Sequence, residues 1–171
     1  MMKNFTKLFA LAAVMFGFSL TSNAQSATST STTASATIVA PIAIADGTEL
    51  MFGNIISDGT ASTVTIAPDG ARTATAGARF STALPGTFGA SSFVVTGEGN
   101  STYAITLPID GAISLAGPAT STAMTLSSFT SVGGTLAAGT ETLTVGATLN
   151  IGASQLPGAY SGTYTVTVSY N

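Results

Sequence analysis

Short runs in which apolar and hydroxyl-bearing residues alternate, punctuated by Gly, Pro, Asp and Asn, recur from residue 36 to the end of the chain. The clearest is residues 142–151, TLTVGATLNI. There Leu143, Val145, Ala147, Leu149 and Ile151 alternate with Thr142, Thr144, Gly146, Thr148 and Asn150. Residues 163–171, TYTVTVSYN, repeat the pattern, with Tyr164, Val166, Val168 and Tyr170 on one side. A period of two puts successive side chains on opposite faces of a strand, so both runs predict half-buried β-strands. Residues 63–67, 92–96 and 102–107 predict further strands, and residues 36–44, 50–55, 112–116 and 124–129 predict less regular ones. Pro41 confines the first of these to a sheet edge or a bulge. Turns are expected at Asp46-Gly47, Ser57-Asp58-Gly59 and Pro68-Asp69-Gly70, where Asp and Gly supply turn geometry. Gly97-Glu98-Gly99-Asn100 is expected to be a hairpin turn. Residues 71–90, with a break at Pro85-Gly86, are the least legible stretch.

No helical period follows the N-terminal segment, and Thr and Val favour the pleated surface of a strand. The pattern predicts an all-β, antiparallel β-sandwich of Ig/pilin-like type. A closed barrel is the alternative, and it calls for more even strand lengths. Gly-Thr pairs recur without a fixed period, which argues against solenoids and propellers. The expected core is Val64, Ile66, Phe93, Val95, Tyr103, Ile105, Leu107, Leu143, Val145, Leu149, Tyr164, Val166 and Val168.

The N-terminal segment reads differently. Lys3 and Lys7 precede the mostly apolar residues 8–20, LFALAAVMFGFSL, and Ser22-Asn23-Ala24 follows. A positive start, a short apolar core and a small-x-small site predict a signal peptide over residues 1–24, cleaved after Ala24. The apolar run is shorter than the ~20 residues of a membrane-spanning helix. Residues 25–35, QSATSTSTTAS, have no large apolar side chain and predict a flexible leader. Residues 36–171 are then the β-sandwich domain. The expected route is Sec export to the periplasm, cell surface or medium, with no membrane span left after cleavage. Outer-membrane barrel strands need about 9–11 residues and aromatic girdles, and most runs here are shorter.

Composition narrows the chemistry. The chain has 4 Lys+Arg, 7 Asp+Glu, no His, no Cys and no Trp. Beyond the signal segment the only cations are Arg72 and Arg79, too few to neutralise a phosphate backbone, so no nucleic-acid partner is expected. Without His or Cys, Ser-His-Asp and Cys-His catalysis and soft-ligand metal sites are excluded. Asp58, Asp69 and Asp110 each precede Gly and read as solvated turn residues; Asp46 and Glu49 flank a turn. Nothing in the spacing makes two carboxylates converge as glycosidase chemistry needs, and there is no calcium loop. Gly97-Glu98-Gly99-Asn100 lacks the lysine and following helix of a phosphate loop. Arg72 and Arg79 read as isolated surface charges. Tyr164 and Tyr170 read as core or rim residues of the last strand, and Tyr160 as packing at a corner, rather than as a sugar-stacking platform. No catalytic, cofactor-binding or metal-binding residue is assigned, and the chain is expected not to be an enzyme.

Residues 145–149 and the closing run Gly158-Ala159-Tyr160-Ser161-Gly162-Thr163-Tyr164, continuing to Asn171, resemble the end of the domain-of-unknown-function 4402 family of secreted bacterial proteins. Residues 36–42 and 50–55 resemble its beginning, so the likeness covers residues 36–171. The family implies no known activity. The same ending is similar to that of chaperone–usher pilins and spore-coat-U-like proteins. That likeness implies a periplasmic chaperone as partner and completion of the sandwich by a neighbour's N-terminal strand. The chain departs from pilins in lacking a disulfide, in a leader without large apolar residues, and in Pro41. The expected function is that of an exported, non-enzymatic structural or adhesive, fimbria-like surface protein. It would act through sheet edges and Thr-rich faces, on itself or on cell-envelope partners. The alternative is a monomeric envelope- or carbohydrate-binding module.

Overall fold

The computed structural model describes residues 27–171, and every regular element among them is a strand. The expected signal helix lies outside the described residues. Ile38–Asn171 form one compact unit; residues 27–37 before it are exposed and carry no strand.

The strands are β1 (Ala43–Thr48), β2 (Met51–Phe52), β3 (Ile56–Ser57), β4 (Ser62–Ile66), β5 (Arg72–Ala74), β6 (Ala78–Arg79) and β7 (Phe88–Gly89). They continue as β8 (Ser91–Thr96), β9 (Tyr103–Thr106), β10 (Ile113–Leu115), β11 (Met124–Val132), β12 (Thr140–Ile151) and β13 (Thr167–Tyr170). Seven of them form one antiparallel sheet in the order β1-β8-β12-β11-β10, with β4 also on β12 and β5 outside β4. The pairs β9–β13, β2–β7 and β3–β6 are separate two-stranded ribbons. The protein is all-β and antiparallel, as its periodicity predicts.

The central strand is β12. One of its edges carries β11. The other is divided: Thr140–Val145 pair with β8, and Ala147–Ile151 pair with β4. Gly146 sits at the division. A Cβ there would overlap the carbonyl oxygen of Ile66 and crowd Ala67 and Pro68, so only glycine lets β4 and β8 share one strand edge.

This division creates two cores on the inner face. Val95, Tyr103, Leu136, Leu143, Val145 and Val166 fill the first, beneath the β9–β13 ribbon. Val64, Ala78, Leu126, Leu149 and Ile151 fill the second, with Phe52, Ile55 and Phe80 packed against it. Phe129 touches both, and its ring lies 5.4 Å from that of Tyr164. It reaches this position because β11 bulges between Ser127 and Thr130. The inserted residue, Ser128, takes a φ of 50°, and its amide donates to Asp110 Oδ1 at 2.6 Å. All thirteen expected core residues are buried or half-buried.

Several expectations are corrected. The first strand starts at Ala43, beyond Pro41, and Asp46-Gly47 lies inside it at a bulge rather than in a turn. Gly97-Glu98-Gly99-Asn100 is not a hairpin turn: β8 pairs with β1 and β12 while β9 pairs with β13, so it crosses between sheets. Only Thr167–Tyr170 of the last run make a ladder, although Tyr164 and Val166 keep the alternation of burial. Residues 71–90 hold β5, β6 and β7, too short for periodicity to register. Tyr160 does pack at a corner: its ring lies against Gly117, where any Cβ would overlap it.

Replacing Gly146 by alanine forces the Ile66 carbonyl away from the division of β12. Gly146→Ala is expected to lower stability by about 3 kcal/mol, at the upper end of overpacking costs. An unchanged urea midpoint would show that the division tolerates a side chain.

Candidate functional site

Polar side chains with unusual surroundings occur at four places, and each is positioned by the curl of the sheet.

The first joins the two ends of the domain. Tyr170, at the end of β13, donates its hydroxyl to the Ala40 carbonyl at 2.8 Å and accepts from the Glu98 amide at 2.6 Å. The Ala40 amide donates to Glu98 Oε2 at 3.0 Å. Three hydrogen bonds thus close a ring around one arm residue, one arch residue and one C-terminal tyrosine. Gly97 is bare because a Cβ would overlap the Tyr170 hydroxyl. Asn171 adds a bond from Nδ2 to Thr102 Oγ1 at 2.9 Å. Beside this clasp opens a cleft of about 360 Å³ lined by Val39, Glu98, Ser101, Thr102, Tyr170 and Asn171.

The second is Glu141, at the start of β12. Its Oε2 accepts from the Tyr103 hydroxyl at 2.6 Å and from the amides of Gly134 and Thr135, each at 2.9 Å. Burial alone would raise this carboxyl, but the three donors outweigh it and hold it below the ordinary value. The Tyr103 phenol is pushed up to about 12, first by burial and then by its acceptor Glu141. Nearby, the buried Ser91 hydroxyl donates to the Val145 carbonyl at 3.1 Å and shares a short hydrogen bond with Tyr164. Burial raises the Tyr164 phenol.

The third is Arg72. Its guanidinium carbon lies 3.7 Å from the Phe80 ring centre and 3.9 Å from that of Phe88. It also donates to the Phe52 carbonyl at 2.9 Å. Desolvation lowers its pKa. Arg72 is therefore no isolated surface charge but a pin between two aromatic rings, holding the chain after β6 against β2.

The fourth is the outer face of the large sheet. Ser127, Thr148, Thr65 and Thr73 lie opposite one another across β11, β12, β4 and β5. Ser114, Thr125, Asn150 and Thr63 form the next row across β10, β11, β12 and β4. Thr65 and Thr148 share a hydroxyl hydrogen bond of 2.8 Å, and the Asn150 amide donates to Ser127 Oγ at 3.0 Å. Neither row contains a charge.

Three further acids, Asp58, Asp69 and Asp110, accept hydrogen bonds at turns and at the bulge. Asp58 accepts from the Thr60 hydroxyl at 2.6 Å and amide at 3.0 Å, which together hold its carboxyl below the ordinary value. Asp69 accepts from the Ala71 amide at 2.9 Å. Asp110 holds the β11 bulge rather than serving only as a turn residue. Among the described residues no three of His, Cys, Asp and Glu come together as a metal site, and no helix is long and apolar enough to cross a membrane. The three C-terminal tyrosines bond to different partners: Tyr160 to the Leu156 carbonyl, Tyr164 to Ser91, and Tyr170 to the clasp. The sequence pointed to Thr-rich faces, of which the fourth place is one, and to none of the other three. One usable signal was Glu141, a carboxylate near the start of a strand that is otherwise uncharged.

Fold and site together define an antiparallel β-domain whose ends are clasped and whose broad outer face carries uncharged hydroxyl rows. The family model described as Domain of unknown function (DUF4402) matches residues 42–170, and the chain belongs to that family. No curated protein and no solved structure matches it.

Two predictions follow from the buried polar groups. The folded chain keeps the Tyr103 proton that an ordinary tyrosine releases near 10, so stability should fall as pH rises from 10 towards 12. Conversely, Glu141 contributes fully above the ordinary carboxylate value of 4.5, and its contribution is lost as pH falls through its lower folded value. Glu141→Gln should cost about 2 kcal/mol at pH 7, the scale of hydrogen bonds to a charged group, and should flatten the acid limb. Urea melts at neutral and acidic pH check this; a variant with the parent's acid limb would assign it elsewhere. Tyr170→Phe should cost about 1 kcal/mol and speed hydrogen exchange at the Glu98 amide. Unaltered exchange there would mean that the clasp is not formed in solution.

Proposed function

We propose that this chain is an exported, non-enzymatic structural or adhesive component of the cell surface, built to make side-by-side contacts. The observation that carries the reading is the pair of uncharged hydroxyl rows crossing the outer face of β10, β11, β12, β4 and β5. Soluble sheets ordinarily guard their exposed edges with charge, lysine above all. Here one row reaches β5 and the other β10, strands that each pair on one side only, and neither row bears a lysine, arginine or carboxylate. Burying such a face against another neutral surface carries no cost of removing charges from water. Threonine and serine offer both donors and acceptors, and the cross-strand bonds hold several of them in place before contact.

On this reading residues 1–24 direct Sec export, residues 25–35 are a leader, and the partners are further copies of the chain or neutral components of the envelope. The pilin likeness of the terminal run adds a periplasmic chaperone as an assembly partner.

Lysine at Thr73 and Ser114, both exposed on the flanking strands, tests the proposal. The parent chain should sediment as polymers or show fibres by electron microscopy, and the double variant should remain monomeric. Surface changes of this kind alter stability by about 0.5 kcal/mol or less, so the melting curve controls for folding. A parent chain that is monomeric at every concentration overturns the self-contact reading and favours a monomeric binding module, for which the cleft beside Tyr170 is the place to look.

A further inference from the structure

The arch between β8 and β9 carries a chemistry that neither the fold nor the hydroxyl face uses. Asn100-Ser101-Thr102 is an Asn-x-Thr triplet with a residue other than proline between. That is the acceptor pattern for N-linked glycans, found on surface loops of secreted proteins. No other asparagine in residues 27–171 stands two positions before a serine or threonine. Glu98, two positions before Asn100, adds a negative charge to the same five residues.

The structure supplies the context that the triplet alone lacks. Asn100 is exposed on the crossing between the two sheets, and its backbone takes a φ of 60°, the left-handed conformation that asparagine tolerates at tight bends. Its Oδ1 accepts from the Ala138 amide at 3.5 Å, while its Nδ2 donates to no other described residue. Thr102 is exposed as well. Its hydroxyl is engaged only by Asn171, 69 positions later in the chain. A chain that crosses a membrane N-terminus first therefore presents the triplet before the residue that occupies its hydroxyl arrives.

We propose that Asn100 is an acceptor for an N-linked glycan, added from a lipid-pyrophosphate-linked oligosaccharide; in the cell this rests on the export reading above. In the transfer, Nδ2 of Asn100 attacks the anomeric carbon of the sugar. The new N–C bond forms as the C–O bond to pyrophosphate breaks, and the lipid pyrophosphate departs. One amide proton passes to a carboxylate base of the transferase. The Thr102 hydroxyl is the hydrogen-bonding handle by which the acceptor is held. A bulky, hydrated glycan at the arch would supply solubility that this chain, with 6% charged residues, draws little of from charge.

The test is a transfer reaction. The purified chain is incubated with a solubilised bacterial oligosaccharyltransferase and a fluorescent lipid-pyrophosphate oligosaccharide, and the peptide containing Asn100 is weighed. Label on that peptide is expected, with at least a tenfold loss in Asn100→Gln and Thr102→Val and retention in Thr102→Ser. Circular dichroism melts confirm that each variant folds. A parent chain unlabelled both when folded and when freshly diluted from urea, in a reaction that labels a control acceptor peptide, overturns the proposal; so does label that persists in Asn100→Gln. The N-terminus of the chain purified from its own host answers the separate question of export. A start at Gln25 supports that reading and a retained Met1 sinks it, whichever way the transfer reaction comes out.

Discussion

Two strands contend for one edge of β12, and the architecture follows from how that contest is resolved. A twelve-residue strand is about 40 Å long at the usual rise per residue, more than one compact core can cover. Giving the first half to β8 and the second to β4 lets the sheet cover two apolar clusters. The residue at the change of partner must leave room for the end of β4, and Gly146 does. Phe129 then ties the clusters together, and it faces them because β11 carries an extra residue at Ser128. The bulge in turn depends on Asp110, whose carboxylate takes up the amide that the ladder leaves unpaired. A glycine, a bulge and one carboxylate thus decide a packing that many apolar side chains fill.

A chain with so few charges has to satisfy buried polar groups by other means. Hydroxyls and backbone carry most of that work: Ser91 with Tyr164 and Val145, Thr65 with Thr148, and Tyr170 with Ala40 and Glu98. Two of the charges are drawn inward. Glu141 gathers three donors at the rim of the first core, and Arg72 is held between two aromatic rings. The outer face is left neutral as a consequence, which sets this sheet apart from the charged surfaces that keep ordinary sandwiches from sticking to one another.

The clasp at Tyr170 links the N-terminal arm, the arch and the last strand through a single hydroxyl. Its partners stand 72 and 130 positions away, so it can close only after β13 has been made. The acceptor triplet on the same arch falls under the same ordering, since Asn171 is made 69 positions after Thr102. Ala40, the arch and Tyr170 are therefore parts of one end of the domain, whatever the surface outside it contacts.

Local pattern was enough for the long strands. Period-two alternation fixes which face of β4, β8, β9 and β12 turns inward, because a one-residue slip would reverse every side chain, and the thirteen inward residues were readable from it. The likeness to the family was readable too, and the family model bears it out over residues 42–170; the closing glycines mark places of close packing, such as Gly158 against Pro118. Hidden from the sequence were the short ribbons of residues 71–90, the bulge at Asp46-Gly47, the crossing at residues 97–100, and the roles of Arg72, Asp110, Glu141 and Tyr170. Each depends on a partner far along the chain, and alternation carries no information about which distant segment arrives. The sequence by itself determined the strands and their inner faces; only the tertiary structure decided which strands meet and where the few charges go, because those choices are made by contacts between segments and not within them.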